Sequence, residues 1–202
     1  MKTLVIDTAT PACSVALFDS ASCVAGEYQE LGRGHAERLV PMIQTLPGNG
    51  QADQIYVNVG PGSFTGIRVG ISAARALGLA WGAPCLGYSC LSLVAAMAQT
   101  DGIIDAAMQA GHGEFFFQSF DEAGQAKTKL QSLKPKEAAA QSKAAVIAGS
   151  AANAVAELRG DGTAKHLLPD ARQWLLLSAM PALEPKAIYG RQADAKPSGQ
   201  SG

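Results

Sequence analysis

The stretch "QIYVNVGPGSFTGIRVGISAARALGLAW", residues 54–81, constrains this chain more than any other part of it. A short apolar run rich in β-branched residues enters a turn holding Gly60, Gly62 and Gly66. A long proline-free segment follows, with apolar residues at helical spacing. That pattern predicts a buried strand, a tight turn and a helix from Phe64 to Trp81, the unit from which parallel sheets are assembled. Gly60 and Gly62 can adopt backbone angles closed to other residues, and Pro61 stiffens the turn between them. Ser63 or Thr65 can cap the helix. The free N–H groups and the helix dipole then make a weak anion site, for which Asp7, Gly62 and Ser63 are the candidate phosphate-binding residues. A Walker loop, however, needs Gly-Lys-Ser/Thr, and here Ile67 and Arg68 follow Gly66; the spacing is not GxGxxG either. On motif alone, a structural turn outranks a phosphate site.

The rest of the chain supports an α/β assignment. Hydrophobic residues make up 48% of the 202 residues and charged residues 16%, enough for a substantial core. "TLVIDTA", "CSVALFD" and "CVAGEYQE" predict a three-stranded meander. "HAERLVPMIQTL" predicts a helix whose apolar side is Leu39, Met42, Ile43 and Leu46, with Pro41 either kinking it or marking its start. "CLGYS" is a further strand and "CLSLVAAMAQ" a further helix. Beyond Asp101 the order returns: strands in "GIIDAAMQA", "GEFFFQSFD" and "KTKLQSL", a helix from Pro135, a strand in "AAVIAGS", and helices in "SAANAVAEL" and "ARQWLLLSA". The expectation is a duplicated α/β unit with lobes at 1–100 and 101–190 and a flexible polar tail at 191–202.

On the helix after the glycine-rich turn, Gly66, Gly70 and Ala73 form a smooth strip beside an apolar stripe of Ile67, Ile71, Ala74, Gly78 and Trp81. Together they require burial on more than one side, against the chain's own sheet and against either more core or another helix pair. Pattern alone favours core.

Catalytic equipment is sparse. Asp7 ends the first strand, where it can hold a cation or make a turn. The three histidines, His35, His112 and His166, form neither an HxxxH nor an HExxH pair, so no metal site is expected; GxSxG is absent too. Cys13, Cys23, Cys85 and Cys90 include no CxxC pair and suit reduced thiols. A net charge of −1 gives no general attraction to nucleic acid, so a role on nucleic acid would run through a partner or a small local patch. No apolar run approaches a signal peptide or a membrane span, and a cytoplasmic location is expected.

"IDTATPACSVALFD", "GHAERLVPMI", "GPGSFTGIRVGISAARALGLAWGAPCLGYSCLSLVAA" and "GEFFF" strongly resemble the bacterial TsaB (YeaZ) family, densely from Thr3 to about Ala96. Beyond these, "PKAIYGRQADAKP" is similar to the family's Pro-Tyr-Arg closing element. The resemblance implies an actin-like (ASKHA) fold of two related lobes, each a mixed sheet with helices. It also implies a non-catalytic subunit, without cofactor, in making threonylcarbamoyl-adenosine at position 37 of tRNAs that read codons beginning with A. In the catalytic paralogue TsaD an HxxxH pair binds metal; alignment puts Cys90 and Val94 at those positions, and a valine cannot be a ligand. "QAGHGEF" stands where the family usually carries a basic stretch.

In this family two helices of the first lobe pack on the same pair in TsaD. The resemblance therefore shifts the preference from core to interface and makes Leu39, Met42, Ile43, Ile67, Gly70, Ile71 and Ala74 the candidate contacts. It further implies TsaE, an ATPase that joins the pair, and a competing homodimer over the same face. The alternative is an ATP-dependent phosphotransferase or ATPase using Asp7 and the Gly60–Gly66 turn. A metallopeptidase would need the missing histidine pair.

Overall fold

In the computed structural model, residues 1–190 are described. The expected tail at 191–202, with Arg191 of the closing element, lies outside the described residues. Two five-stranded sheets share one strand order. In the first, β1 (Lys2–Asp7), β2 (Ala12–Asp19) and β3 (Ser22–Glu30) form an antiparallel meander, and β4 (Gln54–Asn58) and β5 (Cys85–Tyr88) extend it in parallel from the other side of β1. In the second, β6 (Ile104–Gln109), β7 (Phe115–Phe120) and β8 (Gln131–Leu133) repeat the meander, while β9 (Val146–Ala148) and β10 (Thr163–Lys165) repeat the parallel extension. Helices fall at matching places: α1 (His35–Thr45), α2 (Phe64–Trp81) and α3 (Cys90–Met97) in the first pass, α4 (Pro135–Gln141) and α5 (Ala152–Arg159) in the second. The duplicated α/β unit is thus present strand for strand.

Alternation along the strands assigns the layers. Leu4 and Ile6 of β1 face α1 and α2, whereas Val5 points to the opposite layer. In β7, Phe115 and Phe117 pack with α4 and α5, while Phe116 and Phe120 pack with α3. Helix α3 buries Cys90, Leu91 and Val94 against the second sheet and Leu93 against the layer behind the first sheet. An apolar helix without a polar face is what that central position requires.

Two local expectations change. "ARQWLLLSA" forms a 3-10 helix, Ala171–Leu177, rather than an α-helix, and it returns to the first sheet. The Ala171 N–H donates to Ser14 Oγ at 2.9 Å, and Trp174 lies against Phe18 and Tyr56 with ring centroids 5.5 and 4.5 Å away. Of the two alternatives for Pro41, a helix start is excluded, because α1 runs from His35 to Thr45 through it; the ring sits on the exposed side, where the lost backbone bond faces water. From Leu183 to Tyr189 the chain forms a strap along the open edge of β5. Gly87 and Leu183 exchange backbone hydrogen bonds at 2.7 and 2.9 Å, and the Ile188 N–H donates to Val59 O at 2.8 Å.

Candidate docking face and a closed glycine-rich turn

The strand register brings three polar side chains together at the ends of β1, β4 and β5. Ile6 pairs with Val57 and Asn58 with Tyr88, so Asp7, Asn58 and Tyr88 meet. The Asp7 carboxylate accepts from Asn58 Nδ2 at 2.6 Å, from the Tyr88 hydroxyl at 2.8 Å and from the Ala9 N–H at 3.2 Å. Asp7 has no solvent exposure. Burial pushes its carboxyl up from an ordinary 3.8 to about 7, even though all three donors favour the charged form. The same burial raises Tyr88 far above the usual phenol range and raises the Cys90 thiol, which stays protonated. Sequence reasoning found Asp7 but missed Asn58 and Tyr88. The available signal was a polar residue closing each of two otherwise apolar parallel strands beside β1.

The glycine-rich turn is closed by the chain itself. The Ser63 N–H donates to Ala9 O at 2.7 Å, and Thr8 Oγ1 donates to Gly66 O at 2.7 Å. Ser63 caps α2 by accepting from the Gly66 N–H at 3.2 Å. A Cβ at Gly62 would collide with the Ala9 carbonyl, and one at Gly66 with the Thr8 carbonyl. Gly62 and Gly66 therefore admit the β1–β2 hairpin against the turn. Of the three phosphate-site candidates, Asp7 is sealed, Gly62 is pressed on Ala9 and Ser63 is a helix cap. A cleft of about 300 Å³ between the lobes is lined by Tyr56, Tyr88, Phe120, Trp174 and other residues, none charged, and offers a polyphosphate no counter-charge.

The seven expected contact residues need correction. Leu39, Met42, Ile43, Ile67, Gly70, Ile71 and Ala74 all lie in the core between α1, α2 and the first sheet. Ile71, at 7% exposure, is the most open of the apolar side chains among them. The strongest apolar periodicity of a helix marks the side facing its own sheet. Outward, α1 presents Ala36 and Val40 beside Glu37 and Gln44, and α2 presents Ser72, Ala76, Leu79 and Ala80 beside Arg68 and Arg75, with Val69, Ala73 and Leu77 half-buried next to them. Leu79 is 88% exposed. Helical periodicity misses this strip because it consists mostly of small residues.

No metal site is assembled among the described residues. His35 Nε2 lies 2.8 Å from Thr10 O and ties α1 to the hairpin, while His112 and His166 are exposed. Cys90 and Val94 are both fully buried in apolar surroundings. No helix of the described residues is long and apolar enough to cross a membrane.

Residues 29–175 match the family described as TsaD: tRNA N6-adenosine threonylcarbamoyltransferase. The chain is 37% identical over 134 residues to the tRNA threonylcarbamoyladenosine biosynthesis protein TsaB of Escherichia coli K12, covering 61% of this chain and 58% of that protein. It is also 37% identical over 129 residues to TsaB of Haemophilus influenzae, covering 56% of this chain and 51% of the relative. The chain thus spans little more than half the length of these curated relatives. The solved structure of YeaZ from Pseudomonas aeruginosa superposes with a TM-score of 0.81 at 28% identity, over 93% of this chain and 99% of that one. The ethanolamine utilization protein EutJ of Carboxydothermus hydrogenoformans, at 10% identity and a TM-score of 0.50, shares the fold alone. That fold is the actin-like (ASKHA) arrangement of two related α/β lobes.

Proposed function

Because this chain belongs to the TsaB (YeaZ) family, within the wider threonylcarbamoyltransferase family, we propose that it works as a non-catalytic subunit in tRNA threonylcarbamoyladenosine biosynthesis. It docks on and supports a TsaD-type enzyme through the outward faces of α1 and α2. The lobes divide near residue 100, with 171–190 returning to the first. The TsaE ATPase joins the resulting pair, tRNA contacts are made chiefly by the partner, and a homodimer over the same face competes. The work is done in the cytoplasm.

The observation that carries this reading is the closed turn. Where an ASKHA enzyme would need an accessible acid and open backbone N–H groups, Asp7 is sealed and the hairpin occupies the turn. What the same helix offers outward is a smooth strip of Ala76, Leu79 and Ala80 beside Val69 and Ala73, suited to close helix packing. Shape, more than charge, would then select the partner.

Co-expression with a TsaD-type enzyme followed by size-exclusion chromatography is the direct test, with a single co-eluting species expected. Ala76→Glu puts a charge into the seam and should cost several kcal/mol of association while leaving the monomer folded. Ile71→Glu cannot serve, because it would charge the monomer's own core. Two separate peaks at micromolar concentration for the unsubstituted pair would remove the reading. Calorimetry with ATP and Mg²⁺ on the isolated chain checks the phosphotransferase alternative, and no binding is expected.

A further inference from the structure

At the first turn of α2, Phe64 and Tyr189 form an exposed aromatic pair, with ring centroids 5.4 Å apart. Phe64 is 54% exposed and Tyr189 45%. The Arg68 guanidinium lies over the Phe64 ring, 3.6 Å from its centroid, and its Nε donates to the Tyr189 hydroxyl at 3.1 Å. Phe64 of α2 and Tyr189 of the strap therefore hold the plane of Arg68 from two sides, at an exposed position where an arginine would otherwise sample many rotamers. Arg75, on the same flank of α2, donates to Pro185 O at 2.9 Å, and Lys186 is exposed nearby on the strap. Neither arginine forms an ion pair among the described residues. Arg38, Arg159 and Arg172, by contrast, each pair with a carboxylate of this chain.

A guanidinium oriented through Nε keeps its terminal nitrogens for a planar, two-oxygen acceptor. We propose that the Phe64–Arg68–Tyr189 clamp is a preformed receptor for a carboxylate side chain, Asp or Glu, of the protein that covers the outward face of α2. The inference rests on the docking role proposed above, and adds to it a polar contact that fixes register. Arg68 sits on α2 beside the Ser72, Ala76 and Leu79 side, so a partner lying on that strip reaches it without rearrangement. A protein carboxylate fits better than nucleic acid. A chain of net charge −1 with three cations on this flank, Arg68, Arg75 and Lys186, lacks the longer run of phosphate contacts from which RNA affinity is built. An apolar strip bordered by an oriented guanidinium is the layout of a protein seam, where packing supplies contact and a charged pair specifies alignment.

The test measures the affinity of the full chain for its TsaD-type partner by interferometry, with the unsubstituted chain, Arg68→Gln, Arg68→Lys and Tyr189→Phe. Arg68→Gln should weaken binding by about tenfold or more, and Arg68→Lys by nearly as much, because an ammonium neither stacks flat nor forks. Tyr189→Phe, which removes only the clamping hydroxyl, should weaken it about threefold. Raising the salt from about 0.05 M to about 0.5 M should weaken the unsubstituted pair several-fold and leave Arg68→Gln nearly unchanged. Tight binding that all three substitutions leave intact would overturn the clamp and keep the docking role. Failure of the unsubstituted chain to bind at all would overturn both. If Arg68→Gln instead gained affinity for a tRNA anticodon stem-loop probe, or lost it without any change in partner binding, the carboxylate assignment would fall as well.

Discussion

The two lobes have the same strand order and close the same turn, yet they present different surfaces. In the first, the Ser63 N–H reaches back to Ala9 O at 2.7 Å; in the second, the Ala151 N–H reaches back to Ala107 O at 3.0 Å. A Cβ at Gly149 would strike the Ala107 carbonyl just as one at Gly62 would strike Ala9. The same closure thus recurs in both lobes, and in both the hairpin or strand of the meander fills the crossover turn. The difference lies in the helix that follows. Helix α2 has 18 residues and an outward side with Ala76, Leu79 and Ala80 beside Arg68, Ser72 and Arg75, whereas α5 has 8 and shows Asn153, Glu157 and Leu158 to solvent. Helix α4 is similarly polar outside, with Lys136, Glu137 and Gln141. One copy of the repeat was lengthened and smoothed on its outer side, and the other was left to solubilise itself. The docking role proposed above falls on the longer copy.

The most direct test of this comparison is at the turn. Gly→Ala inside a helix ordinarily stabilises by up to about 1 kcal/mol. At Gly66 the sign should reverse, because the added methyl meets the Thr8 carbonyl, and Gly66→Ala should lose on the order of 3 kcal/mol in urea unfolding. A neutral outcome would mean that the hairpin does not close the turn.

Asp7 gives the next effect, with a defined sign. Its folded carboxyl titrates at about 7 against an ordinary 3.8, so between these values the folded chain keeps a proton that the unfolded chain has released. Stability should fall as pH rises from about 4 to about 7, by on the order of 4 kcal/mol from this group, and then level off. Asp7→Asn should flatten that slope. The second lobe supplies the contrast. Asp105, equally buried, accepts from two backbone N–H groups, of Lys143 and Ala144, and from the Ser119 and Ser142 hydroxyls. Asp105→Ala should cost about 2 to 4 kcal/mol at neutral pH, because buried donors are left unpaired. Urea titrations from pH 4 to 8 on both variants check the two together.

Much of this architecture was legible in the sequence because it rests on strong local signals. The ends of α2 are marked by Ser63 and Gly82, and the meanders by alternating apolar runs, so the duplication could be read from element order. The return of Ala171–Leu177 to the first sheet was not legible, since "ARQWLLL" is apolar enough for either lobe and its anchors, Ser14 and Tyr56, are distant in sequence. Strand β10 has 3 residues and too little pattern to detect. Apolar periodicity found α1 and α2, the helices of the proposed docking face, but selected their inner sides. It also could not see the Arg68–Tyr189 contact, which joins residues 121 apart.

The smallest effects sharpen the comparison most, because they leave the fold intact. Ala76→Glu on α2 and Ala140→Glu on α4 place the same charge at exposed helical positions of the two lobes. Each should change monomer stability by less than about 0.5 kcal/mol, as ordinary surface substitutions do. If docking resides in the lengthened copy alone, only Ala76→Glu should weaken association with a TsaD-type enzyme, by about 100-fold, while Ala140→Glu binds like the unsubstituted chain. Equal losses from both would mean that the partner grips the two lobes together, and that the polar outer faces of α4 and α5 are contact surface too. A loss from Ala140→Glu alone would transfer the docking role to the lobe whose helices are shorter, and the correspondence between helix length, surface smoothness and partner choice would have to be abandoned.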